Sequence, residues 1–115
     1  MNKKIEQIYE SHQEKFDQLL EVFTQTNSKI NLSAIRDAEG IIEKHFYDSI
    51  LPLAFYDFSG QSVMDLGAGG GFPTLPLALT NPTANFHALD SVGKKMKAVS
   101  GMADSIGLQN VQTFH

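Results

Sequence analysis

Val63-Met64-Asp65-Leu66-Gly67-Ala68-Gly69-Gly70-Gly71-Phe72-Pro73 is the stretch on which the fold turns. A short apolar run ends in a carboxylate and a flexible segment, and a proline that can open a helix follows. Four of the nine glycines of the 115-residue chain fall within five positions of it. The pattern predicts strand, glycine turn, helix. Glycine accepts positive φ and carries no Cβ, so such a turn lets backbone amides approach a ligand closely. In doubly wound α/β sheets the ligand lies outside the carboxyl ends of the strands, where helix N-termini favour electron-rich groups.

The flanks bear on which ligand. The dinucleotide fingerprint Gly-x-Gly-x-x-Gly fails in both registers, because its third glycine would fall on Phe72 or on Thr74. Asp65 stands two residues before Gly67 and gives Asp-x-Gly-x-Gly-x-Gly, which resembles the first motif of S-adenosylmethionine-dependent methyltransferases. A carboxylate there suits a ligand carrying an amino group and a sulfonium better than a pyrophosphate. A turn without a ligand has no need of four residues that raise the entropy of the unfolded chain.

Downstream, Pro73 to about Leu79 reads as an apolar helix covered on more than one side, closed by Asn81-Pro82. A strand over Asn85 to Leu89 delivers Asp90, 19 residues after Gly71, to its carboxyl end. An acid there hydrogen-bonds ribose hydroxyls in nucleotide sites; the competing reading is a helix-capping Asp before Ser91-Val92-Gly93. Lys94 to Ile106 reads as a helix weakened by Gly101 and closed by Gly107, and Asn110 to Phe114 as a third strand.

Upstream, Ile5, Ile8, Tyr9, His12, Phe16, Leu19, Leu20 and Phe23 recur at spacings of three and four. This predicts one amphipathic helix of about five turns with a core-facing stripe, ended by Thr26-Asn27-Ser28. Asp37 caps a second helix from Ala38 to about Leu51, with Ile41, Ile42, Phe46, Ile50 and Leu51 on its apolar side and Pro52 as its stop. His45 and Asp48 are three apart and share a face, as a surface pair or as ligand contacts.

With 42% apolar residues and 4 prolines the chain is globular rather than disordered. The absence of cysteine excludes a disulfide framework and a thiolate metal site and fits a reducing, cytoplasmic setting. No apolar run suits a signal peptide or a membrane span. Residues 1–61 hold six Lys/Arg against ten Asp/Glu, and residues 62–115 hold three of each. This acidic balance does not advertise a nucleic-acid binder, so any RNA contact must use local patches such as Lys94-Lys95-Lys97 or basic segments elsewhere.

Four segments together resemble the RsmG family, also called glucose-inhibited division protein B, the guanine-N7 methyltransferases of small-subunit (16S) ribosomal RNA. They are Asn31-Leu32-Ser33-Ala34-Ile35-Arg36-Asp37, His45-Phe46-Tyr47-Asp48-Ser49, Asp65 to Pro73, and Leu89-Asp90-Ser91 with Gly93-Lys94-Lys95. The Gly-Phe-Pro continuation and the upstream His-x-x-Asp-Ser are the more particular parts. The resemblance implies an α/β, Rossmann-like class I methyltransferase fold preceded by a helical extension, divided as residues 1–60 and 61–115. It implies S-adenosyl-L-methionine as cofactor, ribosomal RNA as partner, no metal and no membrane. Asp65, Gly67, Ala68, Gly69, Gly70, Gly71, Phe72, Asp90 and Ser91 would hold the cofactor. Arg36, His45, Asp48 and Ser49 would lie near the active-site mouth, and Phe72 is a candidate platform for the acceptor base, with core packing as its alternative.

Guanine N7 already presents a lone pair, so no catalytic base is required. Two places depart from the family pattern: Thr74 stands where glycine usually continues, and Gly101 with the small residues around it replaces a more apolar helix. The family is roughly twice as long, so the chain reads as a piece of a longer enzyme, self-associating through an unpaired sheet edge or only marginally stable. The other readings are a fragment that binds S-adenosylmethionine without transferring a methyl group, and a nicotinamide-dependent oxidoreductase domain.

Overall fold

The computed structural model describes residues 2–115. Helices α1 (Lys3–Ser11) and α2 (Gln13–Lys29) are followed by a loop and by a continuous helical segment, α3, over residues 38–54. Strand β1 (Ser62–Leu66), helix α4 (Thr74–Thr80), strand β2 (Asn85–Leu89), helix α5 (Gly93–Ser105) and strand β3 (Val111–Phe114) complete the chain. The strands form one parallel sheet in the order β1-β2-β3, with Leu66 opposite Leu89 and Leu89 opposite Phe114.

Both crossovers step the same way across the sheet, and crossovers share one hand, so α4 and α5 land on the same face. That face carries Val63, Asp65, Phe86, Ala88, Val111 and Thr113; Phe86 and Ala88 are fully buried. The opposite face is bare: Met64 is 61% exposed, Leu66 70% and Phe114 46%. Helix α4 is buried from Thr74 to Leu79 because it lies between the sheet and the N-terminal helices, as its apolar composition predicts.

The N-terminal helices close the core with aromatics. Tyr9 stacks on Phe16 and on Tyr47 at centroid distances of 4.5 and 4.7 Å, and Phe16 meets Phe46 at 5.3 Å. Ile5, Phe16, Leu19, Phe23, Ile41, Phe46 and Ile50 share one apolar cluster with Leu75, Phe86 and Met96.

Three expectations are corrected here. The first helix is two helices: His12 leaves the helical region at φ −118° and ψ 24°, and both its Nδ1 and the Ser11 hydroxyl reach the Ile8 carbonyl. Such local side-chain bonds compete with the helix ladder, which periodicity alone does not reveal. The second helix continues through Asn27 to Lys29. The third begins at Ala38 with the Asp37 side chain accepting the Gly40 amide at 2.9 Å, as the cap predicts, but Ile41–Tyr47 is π-helical and Leu51–Ala54 is a 3-10 turn. Buried Ile41 and Phe46 are five apart, the interval a π-turn closes and an α-helix does not.

Candidate functional site

The glycine turn sits at the carboxyl end of β1, tied to β2 by the Gly67 and Ala68 amides, which donate to the Leu89 carbonyl at 2.7 and 3.1 Å. Those two amides are therefore engaged in extending the sheet. Gly67, Gly69 and Gly71 adopt φ of 76°, 53° and 97°, so every second residue takes the left-handed conformation that other side chains resist. Gly70 serves a different need: a Cβ there would lie 3.3 Å from the Leu32 Cβ and carbonyl oxygen, so the loop after α2 packs directly on the turn.

Asp90 follows β2 at the same end of the sheet. Its carboxylate accepts the Gly69 amide at 3.0 Å and the Val92 amide at 2.9 Å, and these two backbone bonds hold its pKa below the ordinary value. A carboxylate offers about four lone-pair directions, so acceptor capacity remains for hydroxyl donors. Ser91, beside it, is exposed.

Asp65 lies on the helix-covered face, one residue from the end of β1. Burial raises its pKa, and the Thr74 hydroxyl, which donates to Oδ2 at 2.5 Å, opposes that rise. Thr74 is 1% exposed. The residue that departs from the glycine pattern is thus the one that braces the carboxylate opening the motif.

Phe72 faces the N-terminal helices. His45 stacks on it at 4.5 Å with the ring planes 3° apart, Phe23 meets it edge-on at 5.0 Å, and Phe46 lies 6.0 Å away. One face of Phe72 is therefore already covered. His45 Nε2 shares a 2.7 Å hydrogen bond with the Ser33 hydroxyl, which also accepts the Ile35 amide. Burial lowers the His45 pKa, partly offset by the Asp48 carboxylate. Asp48 and Ser49 line a groove with Phe72 and Pro73, and the Ser49 hydroxyl donates to the His45 carbonyl. Arg36 is turned back onto its own loop, donating to the Asn27 carbonyl and the Asn31 side chain.

Asn27 is the residue that sequence reading placed in a terminating role and that the structure makes an organiser. It is 2% exposed; Oδ1 accepts the Leu32 and Ser33 amides at 2.8 and 2.9 Å, and Nδ2 donates to the Ser33 carbonyl at 3.1 Å. By holding Leu32 and Ser33 it sets both the residue over Gly70 and the partner of His45. A small polar residue at the foot of an apolar helix, followed closely by a polar loop, is the signal that could have found it.

Among the described residues no helix is long and apolar enough to cross a membrane. Residues 12–115 match the family model GidB, described as rRNA small subunit methyltransferase G. A protein named ribosomal RNA small subunit methyltransferase G from Bacteroides fragilis is 42% identical over 107 residues, covering 92% of this chain and 52% of that protein. Proteins of the same name from Parabacteroides distasonis and Staphylococcus epidermidis are 42% and 38% identical, over 89% and 91% of this chain and 45% and 44% of their own length. The chain spans about half the length of the curated relatives it matches. A family match over nine-tenths of the residues, on a parallel sheet with a glycine turn at its carboxyl end, means that this chain belongs to the rRNA small subunit methyltransferase G family and carries part of a Rossmann-like class I methyltransferase fold.

Proposed function

We propose that the chain is the donor-binding portion of an S-adenosylmethionine-dependent enzyme that methylates N7 of a guanine in small-subunit ribosomal RNA in the cytoplasm. The observation that carries this reading is the Asp90 carboxylate bonded to the Gly69 amide, which joins the glycine turn and the acid after β2 into one wall at the carboxyl end of the sheet. When bound, S-adenosylmethionine supplies an electrophilic methyl group on a sulfonium. Asp90 would accept the ribose hydroxyls with the lone pairs its backbone bonds leave over, and Ser91 would lie alongside. Gly69, Gly70 and Gly71 would admit the methionine end closely, with the half-buried Asp65 opposite its ammonium. Guanine N7 carries no proton, so these residues need only align and stabilise charge.

Two further readings have specific support. The half-length coverage of the relatives favours a fragment that holds the donor without transferring its methyl group. The bare sheet face and the free outer edge of β1 favour self-association of this chain. A nicotinamide cofactor shares the need for Asp90 but lacks its third glycine here.

Calorimetry with S-adenosylhomocysteine and with NAD tests the cofactor. The product analogue is expected to bind and NAD is not, and Asp90→Ala is expected to weaken the analogue about tenfold, as removal of a charged hydrogen-bonding partner does. Binding of NAD alone would overturn the reading. Methyl transfer to 16S ribosomal RNA then separates enzyme from binding fragment.

A further inference from the structure

Thr74 adds a side-chain donor to a turn otherwise built from glycine backbone. It opens α4 directly after Pro73 and is packed out of solvent, 1% exposed. Its hydroxyl donates to Asp65 Oδ2 at 2.5 Å across nine positions of chain, so one side-chain bond joins the two ends of the glycine turn. Threonine is stiff about χ1, and a hydroxyl fixed by packing holds the carboxylate in one orientation. The other oxygen stays open. Oδ1 takes no hydrogen bond of full geometry from the described residues, and no polar side-chain atom among them is both fully buried and unpartnered. Oδ1 therefore reaches the surface, at the carboxyl end of β1.

The charge of Asp65 has no protein counterpart. Burial makes the ionised form costly and raises the pKa, and the hydroxyl and, more weakly, the amide of Thr74 oppose that rise. Helix α4 carries no titratable residue, and β2 sets Ala88 opposite Asp65 while His87 lies on the bare face. Neither Lys44, His45 and Asp48 of α3 nor Asp90 after β2 contributes to the shift. A half-buried carboxylate with one oxygen tied to a hydroxyl, the other open and no cation beside it suits a ligand that brings the cation.

Resting on the donor-binding reading above, we infer that Thr74 is a positioning residue for the amino-acid end of the donor: by occupying Oδ2 it presents Oδ1 of Asp65 to the ligand's ammonium. The glycines admit the ligand, and residue 74 sets how strongly a ligand with an ammonium is preferred over one without. 5′-Methylthioadenosine is the comparison, because it shares the adenosine and thioether of S-adenosylhomocysteine and lacks the amino-acid group.

The test measures, by calorimetry on the whole chain, the affinities of both ligands between about pH 5 and 8, in the parent, Thr74→Val and Thr74→Ser. The parent should prefer S-adenosylhomocysteine, and more so as pH rises through the Asp65 pKa, since the carboxyl group must be ionised to meet the ammonium. Thr74→Val should cut that preference about tenfold at neutral pH and displace its pH dependence upward, with methylthioadenosine affinity unchanged throughout. Thr74→Ser keeps the hydroxyl and should keep the preference. The Asp65 carboxyl pKa, read by carbon-13 NMR on the ligand-free chain, should rise in Thr74→Val and not in Thr74→Ser. Circular dichroism checks that each variant folds. If valine prevents folding, Thr74→Cys, of similar size but a weak donor, should give the same changes in smaller amount. A parent without the preference, equal loss for both ligands in Thr74→Val, or a loss in Thr74→Ser as large as in Thr74→Val overturns the inference while the donor reading stands. A parent that binds neither ligand overturns the donor reading and the inference with it.

Discussion

At the scale of single residues, two titratable groups carry the consequences of burial in opposite directions. Asp65 has a folded pKa above its ordinary 3.8 because it is desolvated, with the Thr74 hydroxyl opposing the shift. Its contribution to stability is therefore full below 3.8 and is lost as pH rises through the folded value. Thr74→Val removes the opposing hydrogen bond and raises that value further. We expect a loss of about 1–3 kcal/mol at pH 7 that shrinks toward pH 4, read from urea midpoints; a loss independent of pH would mean that the hydroxyl does not brace the carboxylate. His45 behaves in reverse: burial lowers its pKa below 6.5. Its stabilisation is complete above 6.5 and is lost as pH falls through the window below it, because the unfolded chain takes up the proton first. Urea midpoints at pH 7.5 and 5.5 should differ less in His45→Gln than in the parent chain, and an unchanged difference would sink this assignment.

At the scale of elements, α5 tolerates its glycine for a simple reason. A Cβ at Gly101 would meet nothing within 4 Å, while Met96, Val99, Met102 and Ala103 bury the helix's inner side. Gly101 therefore lies on the outer surface and leaves the core intact. Gly101→Ala should stabilise the chain by about 0.5–1 kcal/mol, measured as a higher thermal midpoint, and a lower midpoint would show that the glycine is needed for close approach. Helix α3 shows the converse, where buried side chains five apart hold a π-turn between two α-helical turns. That turn carries His45 toward Phe72 and ends where Asp48 begins. The N-terminal helical region is thus part of the glycine turn's support, through Leu32 on Gly70 and His45 on Phe72.

For the whole molecule, one-sided coverage of the sheet dominates. Leu66, Leu89 and Phe114 line up across three strands on the uncovered face, and His87 stacks on Phe114 at 6.1 Å. Together with the outer edge of β1, which pairs with no strand among the described residues, this offers a second copy both backbone hydrogen bonds and apolar contact. Sedimentation should show association that rises with concentration and is reduced in Leu66→Lys. A monomer at high concentration in the parent chain would refute it.

The bounds of β2, the Asp37 cap, the left-handed conformation of Gly67, Gly69 and Gly71 and the positions of Asp65 and Asp90 at one end of a parallel sheet were legible in the sequence, while β3 begins at Val111, one residue later than expected; the legible features follow from alternation, capping, or a residue without a Cβ. What only the tertiary structure decided depends on partners distant along the chain. Asn27 holds a loop rather than ending a helix, Thr74 braces Asp65 across the turn, Arg36 folds back on its own loop while Asp48 and Ser49 reach the groove, and Phe72 gives one ring face to His45. Sequence spacing encodes which face of an element is apolar. It does not encode which polar atom on another element lies within hydrogen-bonding reach, since that distance is fixed only once the layers have packed.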